Sequence, residues 1–299
     1  MKTALLSLFA LIAFAGNSIL CRLALSTQSG HQAIDPASFT SIRLVSGVLM
    51  LFILLVLSGR LKNPSVEYGD TATLNNKGSW LAGLSLFLYA ALFSYAYVTL
   101  DTATGALILF GTVQITMISV GWLRGNRLTR FEAGGVCLAV VGFIYLFLPE
   151  LRQPSLLGFV LMVFAGIAWG DYTLRGQSSS DALNTTAYNF LRTLPLVVLL
   201  LLGLVITGAS FNLTQTGLLL AIASGAITSG VGYAIWYAAL NGLSTTQAAV
   251  IQLLVPVIAA IGGVVFSSEL ISLRLMIAAA LVLGGVLIVI LGRAKVVSS

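Results

Sequence analysis

Ten runs of about 20 mostly apolar residues are separated along the chain by short polar or helix-breaking segments. They cover residues 3–23, 38–58, 80–99, 103–123, 131–149, 156–175, 186–206, 216–239, 245–266 and 271–291. Each is long enough to cross the hydrocarbon of a bilayer as an α-helix. Breakers delimit several of them, among them Ser58-Gly59-Arg60, Pro149-Glu150, Pro154 and the polar stretch from Gln177 to Asn184. The third and fourth runs meet at Asp101-Thr102, and the eighth and ninth at Asn241-Gly242, which predicts two tight helical hairpins. The pattern predicts an all-α polytopic membrane protein with ten transmembrane helices.

Composition removes the alternative. A chain of 299 residues could form two soluble domains, but only 8% of its residues are charged and 58% are hydrophobic, with a mean hydropathy of +1.03. A soluble domain carries about 25% charged residues to wet its surface. Lys2 followed by an apolar run and Ala13-Phe14-Ala15 resembles a secretory signal. The apolar run continues to Leu25, so this segment is read as the first span.

Charge then sets orientation. Lys and Arg number 15 against 9 Asp and Glu, a net charge of +6. In a membrane protein the basic residues concentrate in cytoplasmic segments, so the excess is no sign of a nucleic-acid partner. With the N-terminus inside, cytoplasmic segments hold Lys2, Arg60, Lys62, Lys77, Arg124, Arg127, Arg130, Arg175, Arg293 and Lys295. The far side holds Arg152, with Arg22 and Arg274 near helix ends. This bias puts both termini in the cytoplasm of a cell whose inner, or plasma, membrane holds the protein. Cys21 and Cys137 lie in apolar runs and read as small buried hydrophobes.

The ten runs divide into two fives, residues 1–150 and 151–299, that resemble each other. Tyr97-Val98-Thr99-Leu100 resembles Tyr237-Ala238-Ala239-Leu240. A constant offset pairs Ala106 with Ala248, Val113 with Val255, Gly121 with Gly263, Leu128 with Leu270 and Gly142 with Gly284. Phe39-x-x-x-Arg43 resembles Tyr188-x-x-x-Arg192. Because five is odd, the second copy enters the membrane from the opposite side and the repeats are inverted, as in secondary transporters.

The second half carries Tyr237-x-x-Leu240, Ser244 to Gln247, Leu254-Val255-Pro256-Val257, Ser268-Glu269-Leu270-Ile271-Ser272 and Leu283-Gly284-Gly285-Val286. These segments resemble the EamA-type repeat of the drug/metabolite transporter superfamily, and the resemblance covers the chain as two copies. It implies a ten-helix metabolite transporter, most often an exporter, in a bacterial inner membrane. The first half departs from the pattern, with Gln114 in place of the proline and Arg127 in place of the glutamate.

A transported solute needs polar groups inside an apolar bundle, and such groups face a cavity or each other. The spans offer Asn17-Ser18 in the first, Gln114 and Thr116 in the fourth and Gln252 in the ninth, one turn before Pro256. Pro256 removes a backbone hydrogen bond and is the candidate hinge. Interhelical hydrogen bonding is the other use of Asn and Gln here. Among the aromatics, Tyr95, Tyr97, Trp169, Tyr172, Tyr233, Trp236 and Tyr237 are candidates for cavity walls or for an interfacial belt. Ser229, Tyr233 and Trp236 share one helix face, whereas Trp80 and Trp122 fit the belt. Arg43 and Arg192, paired by the repeat, are expected to snorkel to the interface, with anion binding a secondary use. Gly166-x-x-x-Gly170 and Gly121-x-x-x-Gly125 allow close helix approach. Gly134-Gly135 and Gly284-Gly285 mark closely packed fifth and tenth helices, or a dimer contact.

No carboxylate sits centrally in any span; Asp171 comes closest. The only histidine, His31, lies in an external loop. This disfavours an exporter of lipophilic cations, which pairs cargo and proton with a buried acid. No nucleophile–base pair, acid pair or metal cluster indicates an enzyme, a metal or a cofactor. The expectation is a secondary transporter, monomeric or homodimeric. It moves a small neutral or zwitterionic metabolite, such as an amino acid, by alternating access. A lipid flippase or scramblase is the alternative. Asn17, Tyr95, Gln114, Trp169, Trp236 and Gln252 are the candidate substrate-binding residues.

Overall fold

The computed structural model describes residues 2–26, 32–59, 77–123, 130–146, 155–176, 179, 181–208, 211–240, 243 and 251–297. These residues form ten helices: α1 (Lys2–Leu25), α2 (Pro36–Leu57), α3 (Trp80–Tyr97), α4 (Thr102–Leu123), α5 (Arg130–Leu146), α6 (Leu156–Gly176), α7 (Ala182–Thr207), α8, α9 (Leu254–Ser267) and α10 (Leu273–Val297). Helix α8 runs as Gln215–Ile222, a π-helical stretch Ala223–Val231, and Gly232–Leu240. Eight of the ten contain a described segment long and apolar enough to cross a membrane; α9 is shorter and α5 has 17 residues. The chain is a multi-pass membrane protein.

Helix starts follow local chemistry. The side chains of Asp35, Ser79, Asp181 and Thr214 accept hydrogen bonds from the backbone N–H groups of Ser38, Ala82, Asn184 and Gly217. Each satisfies one of the donors that a helix N-terminus leaves unpaired. Pro36 opens α2, where its missing N–H costs nothing.

The helices pack in a reciprocal pattern. α1 lies on α8 and α9, while α6 lies on α3 and α4. α2 packs on α8 as α7 packs on α3, and the pairs α2–α7, α4–α9 and α5–α10 complete the set. Replacing each helix by the one five places on maps this set of contacts onto itself. The division at 150/151 lies outside the described residues.

Small residues make the close approaches, because lipid offers no hydrophobic drive between helices and packing must supply it. Gly166 and Gly170 face Thr112 and Thr116 of α4. Gly125 lies outside the described residues. Gly135 and Gly285 face each other between α5 and α10 of one chain, whereas Gly134 and Gly284 have open space beside them. Between α2 and α8, a Cβ on Gly225 would stand 2.0 Å from the backbone oxygen of Arg43. Gly225→Ala must therefore part these helices, at a cost of about 1–3 kcal/mol for such overpacking. A lowered midpoint of thermal unfolding in detergent is expected, and Gly134→Ala, with nothing to meet, should leave it unchanged or raise it.

Burial departs from expectation at two positions. Cys21 is buried, but Cys137 is exposed on the outer face of α5. A helix surrounded by lipid is apolar on both its buried and its lipid-facing sides, so an apolar run does not reveal which side a residue takes. Arg43 is the other correction. The helix begins at Pro36, which puts Arg43 about two turns inside it, and its side chain is only 3% exposed. It does not snorkel to an interface.

Candidate substrate site

The buried polar side chains converge where α1, α2, α3 and α8 meet. Asn17 Nδ2 donates to the hydroxyl of Tyr89 (3.2 Å), and Asn17 Oδ1 accepts from the hydroxyls of Ser224 (2.7 Å) and Thr228 (3.5 Å). Both partners on α8 lie in the π-helical stretch, and Thr228 also donates to the Ser224 carbonyl (2.7 Å). The wider turn of a π-helix shifts side chains around the axis, and such segments occur often at functional sites.

Arg43 joins the same group. Its Nη2 donates to Tyr89 Oη (3.1 Å) and its Nε to Ser229 Oγ (3.5 Å), again in the π-helical stretch. The guanidinium lies over the rings of Tyr89 and Phe93, 5.2 and 5.1 Å from their centroids. Ring faces carry partial negative charge, which offsets part of the cost of a cation at this depth. Among the described residues, no carboxylate pairs with it.

Aromatic rings continue from this point. Tyr89 contacts Trp169 (centroids 4.6 Å apart), and Trp169 contacts Tyr172 and Tyr233 (5.3 Å each). Phe14 links Tyr233 (5.8 Å) to Trp236 (5.7 Å). The shared face of Ser229, Tyr233 and Trp236 thus reaches Arg43, Trp169 and Phe14 in turn.

The structure brings Asn17 and Trp169 into one connected group, with Trp236 at its far edge. Gln114 is buried and Gln252 half-buried, yet among the described residues no hydrogen bond joins either to the group. Tyr95 is 40% exposed and points away from it. Tyr89 occupies the position in the cluster that Tyr95 was expected to fill. At six residues earlier in the same helix it lies on a different face, about 120° away at 100° per residue. Pro256 stands in the first turn of α9, where its missing N–H breaks no ladder, and the helix is interrupted earlier, at Leu253. Trp80 and Trp122 are exposed at helix ends, as a belt requires.

Sequence reasoning missed Tyr89, Ser224 and Thr228 and misjudged Arg43. The signal for Arg43 was Pro36, a helix-opening residue that puts it about two turns inside α2. The repeat counterpart of Arg43, Arg192, well inside α7 and half-buried, reaches instead to the start of α3, donating to the backbone oxygens of Lys77 and, in its own helix, Tyr188 (3.1 Å for Tyr188) and lying over Trp80. A second polar cluster sits at the bundle end opposite Lys2. There Glu269 accepts from the backbone N–H (2.9 Å) and hydroxyl (2.9 Å) of Thr102, and Arg22 pairs with Glu269 (3.4 Å) and Asp101 (3.1 Å). Asp171, near the other end, accepts from Ser85 (2.6 Å) and Arg175 (2.7 Å).

A bundle of apolar spans enclosing a small polar and aromatic centre is the build of a membrane transporter. Residues 156–291 form a domain of the EamA-like transporter family. The uncharacterized protein PA1977 of Pseudomonas aeruginosa is 46% identical over 98% of this chain and 97% of its own length. An uncharacterized transporter of Archaeoglobus fulgidus is 28% identical, covering 87% of each chain. A Salmonella typhimurium protein described as a "Probable amino-acid metabolite efflux pump" is 24% identical over 70% of this chain and 74% of its own. A solved structure, described only as that of a protein, matches with a TM-score of 0.60 at 19% identity, over 95% of this chain and 98% of that one, which shows a shared fold.

Proposed function

We propose that the protein is a secondary transporter that exports a small neutral or zwitterionic metabolite, with amino acids the leading class. The observation that carries this reading is the hydrogen-bonded centre itself. Asn17, Arg43 and Tyr89 come from the first five helices, and Ser224, Thr228 and Ser229 from the second five. A solute bound there would touch both halves, so relative rocking of the two could expose it to either side. The reciprocal packing of the helices supports two inverted five-helix units, and the efflux description of the Salmonella relative supports the direction. The basic bias supports cytoplasmic termini in an inner membrane.

The test is uptake of a panel of amino acids and other metabolites into proteoliposomes, with and without a pH gradient. Flux of at least one such solute is expected. Movement of labelled lipid with no solute flux would replace this reading by the flippase alternative. Gln114→Leu and Gln252→Leu separate two uses of those residues. Loss of flux by about tenfold with folded protein retained is expected if they line the path, since each substitution removes hydrogen bonds to solute. Unchanged flux would assign them to helix packing.

A further inference from the structure

We infer that Arg43 is the anchor for a carboxylate group on the transported solute, and that the carboxylate, not an amino group, is what the site recognises. This deepens the transport reading, since it names the chemical feature that the central site selects.

The inference rests on an imbalance of donors over acceptors. Arg43 Nη1 is buried and has no hydrogen-bond partner, although the other guanidinium nitrogens are engaged. Tyr89 Oη accepts from both Asn17 and Arg43, and no acceptor for its own proton lies among the described residues. Ser229 Oγ accepts from Arg43 and is in the same position. Three donors within one connected group thus lack an acceptor among the described residues. The Asn17 carbonyl oxygen cannot serve, because it already takes the hydroxyls of Ser224 and Thr228.

Buried polar groups are normally paired, and a group left alone in a native structure calls for a partner that is sometimes absent. A carboxylate is acceptor-only, carries one negative charge and presents two oxygens that match the guanidinium fork. It would neutralise the cation, pair Nη1 and take a proton from Tyr89 or Ser229. A water molecule could satisfy one of the donors but would leave the charge uncompensated at membrane depth. An ammonium group has no comparable partner paired to this group: among the described residues no carboxylate forms an ion pair or hydrogen bond with Asn17, Arg43, Tyr89 or Ser229, and Asp171 is engaged by Ser85 and Arg175. The rings of Trp169 and Tyr233, next to Tyr89, offer a wall for a flat apolar body attached to the acid.

Four probes with one common body separate the groups: phenylalanine, 3-phenylpropanoate, phenethylamine and phenylalanine methyl ester. Binding is read by tryptophan fluorescence of the purified protein in nanodiscs, and transport by flux into proteoliposomes. The two acids should bind, and the amine and the ester should bind about tenfold or more weakly, the loss expected for a charged hydrogen-bonded contact. Arg43→Met should abolish acid binding. Should that variant fail to fold, Asn17→Asp provides the second measurement. It sets a carboxylate beside the same Tyr89 hydroxyl, supplies Arg43 with an internal counterion and should weaken acid binding by about tenfold. Equal binding of acid and ester, preference for the amine, or undiminished acid binding in a folded variant would overturn the inference. Flux of uncharged solutes or amines alone would overturn it while leaving the transport reading intact. Acid binding without any flux would uphold it and remove the transport reading instead.

Discussion

Replacing Glu269 by alanine destabilises the protein more than any other single change at its polar clusters, by about 3 kcal/mol, the magnitude for removing one partner of a largely buried ion pair. The carboxylate is held between helix α4 and Arg22. It accepts from the backbone N–H and the hydroxyl of Thr102, so it caps α4 in place of the Asp101 side chain, which turns to Arg22 instead. The negative charge also stands at the positive end of that helix. Glu269 reaches this place because the chain turns at Ser268, in the left-handed region at φ 51°, with the N–H groups of Ser268 and Glu269 both bonding the Gly263 carbonyl. Gly263 is required there, since a Cβ would lie 2.3 Å from the carboxylate. Its loss leaves Arg22, whose side chain is only 17% exposed, without its better-buried partner. Thermal unfolding in detergent should fall by about 5–10 °C. Asp101 provides the comparison. Its side chain is 61% exposed, so Asp101→Ala should cost about 1 kcal/mol or less. Equal effects of the two substitutions would show that the cap on α4 contributes nothing.

Asn17→Leu carries the largest expected effect on transport among the uncharged positions of the site. Leucine keeps the branched outline of the amide with a larger volume, so the site stays filled while three hydrogen bonds are lost. Ser224 then has no acceptor for its hydroxyl, and an unpaired buried hydroxyl costs about 1–3 kcal/mol. Thr228 retains its bond to the Ser224 carbonyl, and Tyr89 retains that from Arg43. The damage is therefore to the link between α1 and the π-helical stretch of α8, not to either helix. Flux should fall by about tenfold or more while the protein still elutes as a folded species, because those few kcal/mol act on the geometry of the site. Asn17→Ser, which keeps a shorter acceptor, should fall between the two. Full activity in Asn17→Leu would show that the link between the halves serves packing alone.

The ten spans, the limits of most of them to within a few residues, and the scarcity of charge inside them were legible in the chain; the start expected for the ninth lies outside the described residues. Each follows from one physical demand, that about 20 residues of apolar helix fill the bilayer core, and this demand is local in sequence. The glycine spacing of α6 and the shared face of Ser229, Tyr233 and Trp236 were legible for the same reason, since helical periodicity relates positions a few residues apart. Asn17 and Trp169 stood out because polar and aromatic groups are rare within such runs.

The side each residue faces was not legible. In water a helix separates polar from apolar faces, but a helix in lipid is apolar toward its neighbours and toward the bilayer alike. So Cys137 turned outward, Tyr95 left the centre and Tyr89 entered it. Position along a helix was equally insufficient for Arg43 and Arg192, which the repeat makes equivalent. One is buried among rings and hydroxyls, and the other, no nearer the start of its own helix, is half-buried and reaches the backbone carbonyls of Lys77 and Tyr188. The sequence by itself determined a membrane-spanning bundle of apolar helices, because length and hydrophobicity are properties of each segment alone. Only the tertiary structure decided that Asn17, Arg43 and Tyr89 meet the π-helical stretch of α8. That meeting depends on how helices more than 100 residues apart approach at Gly47 and Gly225, a contact no single segment encodes.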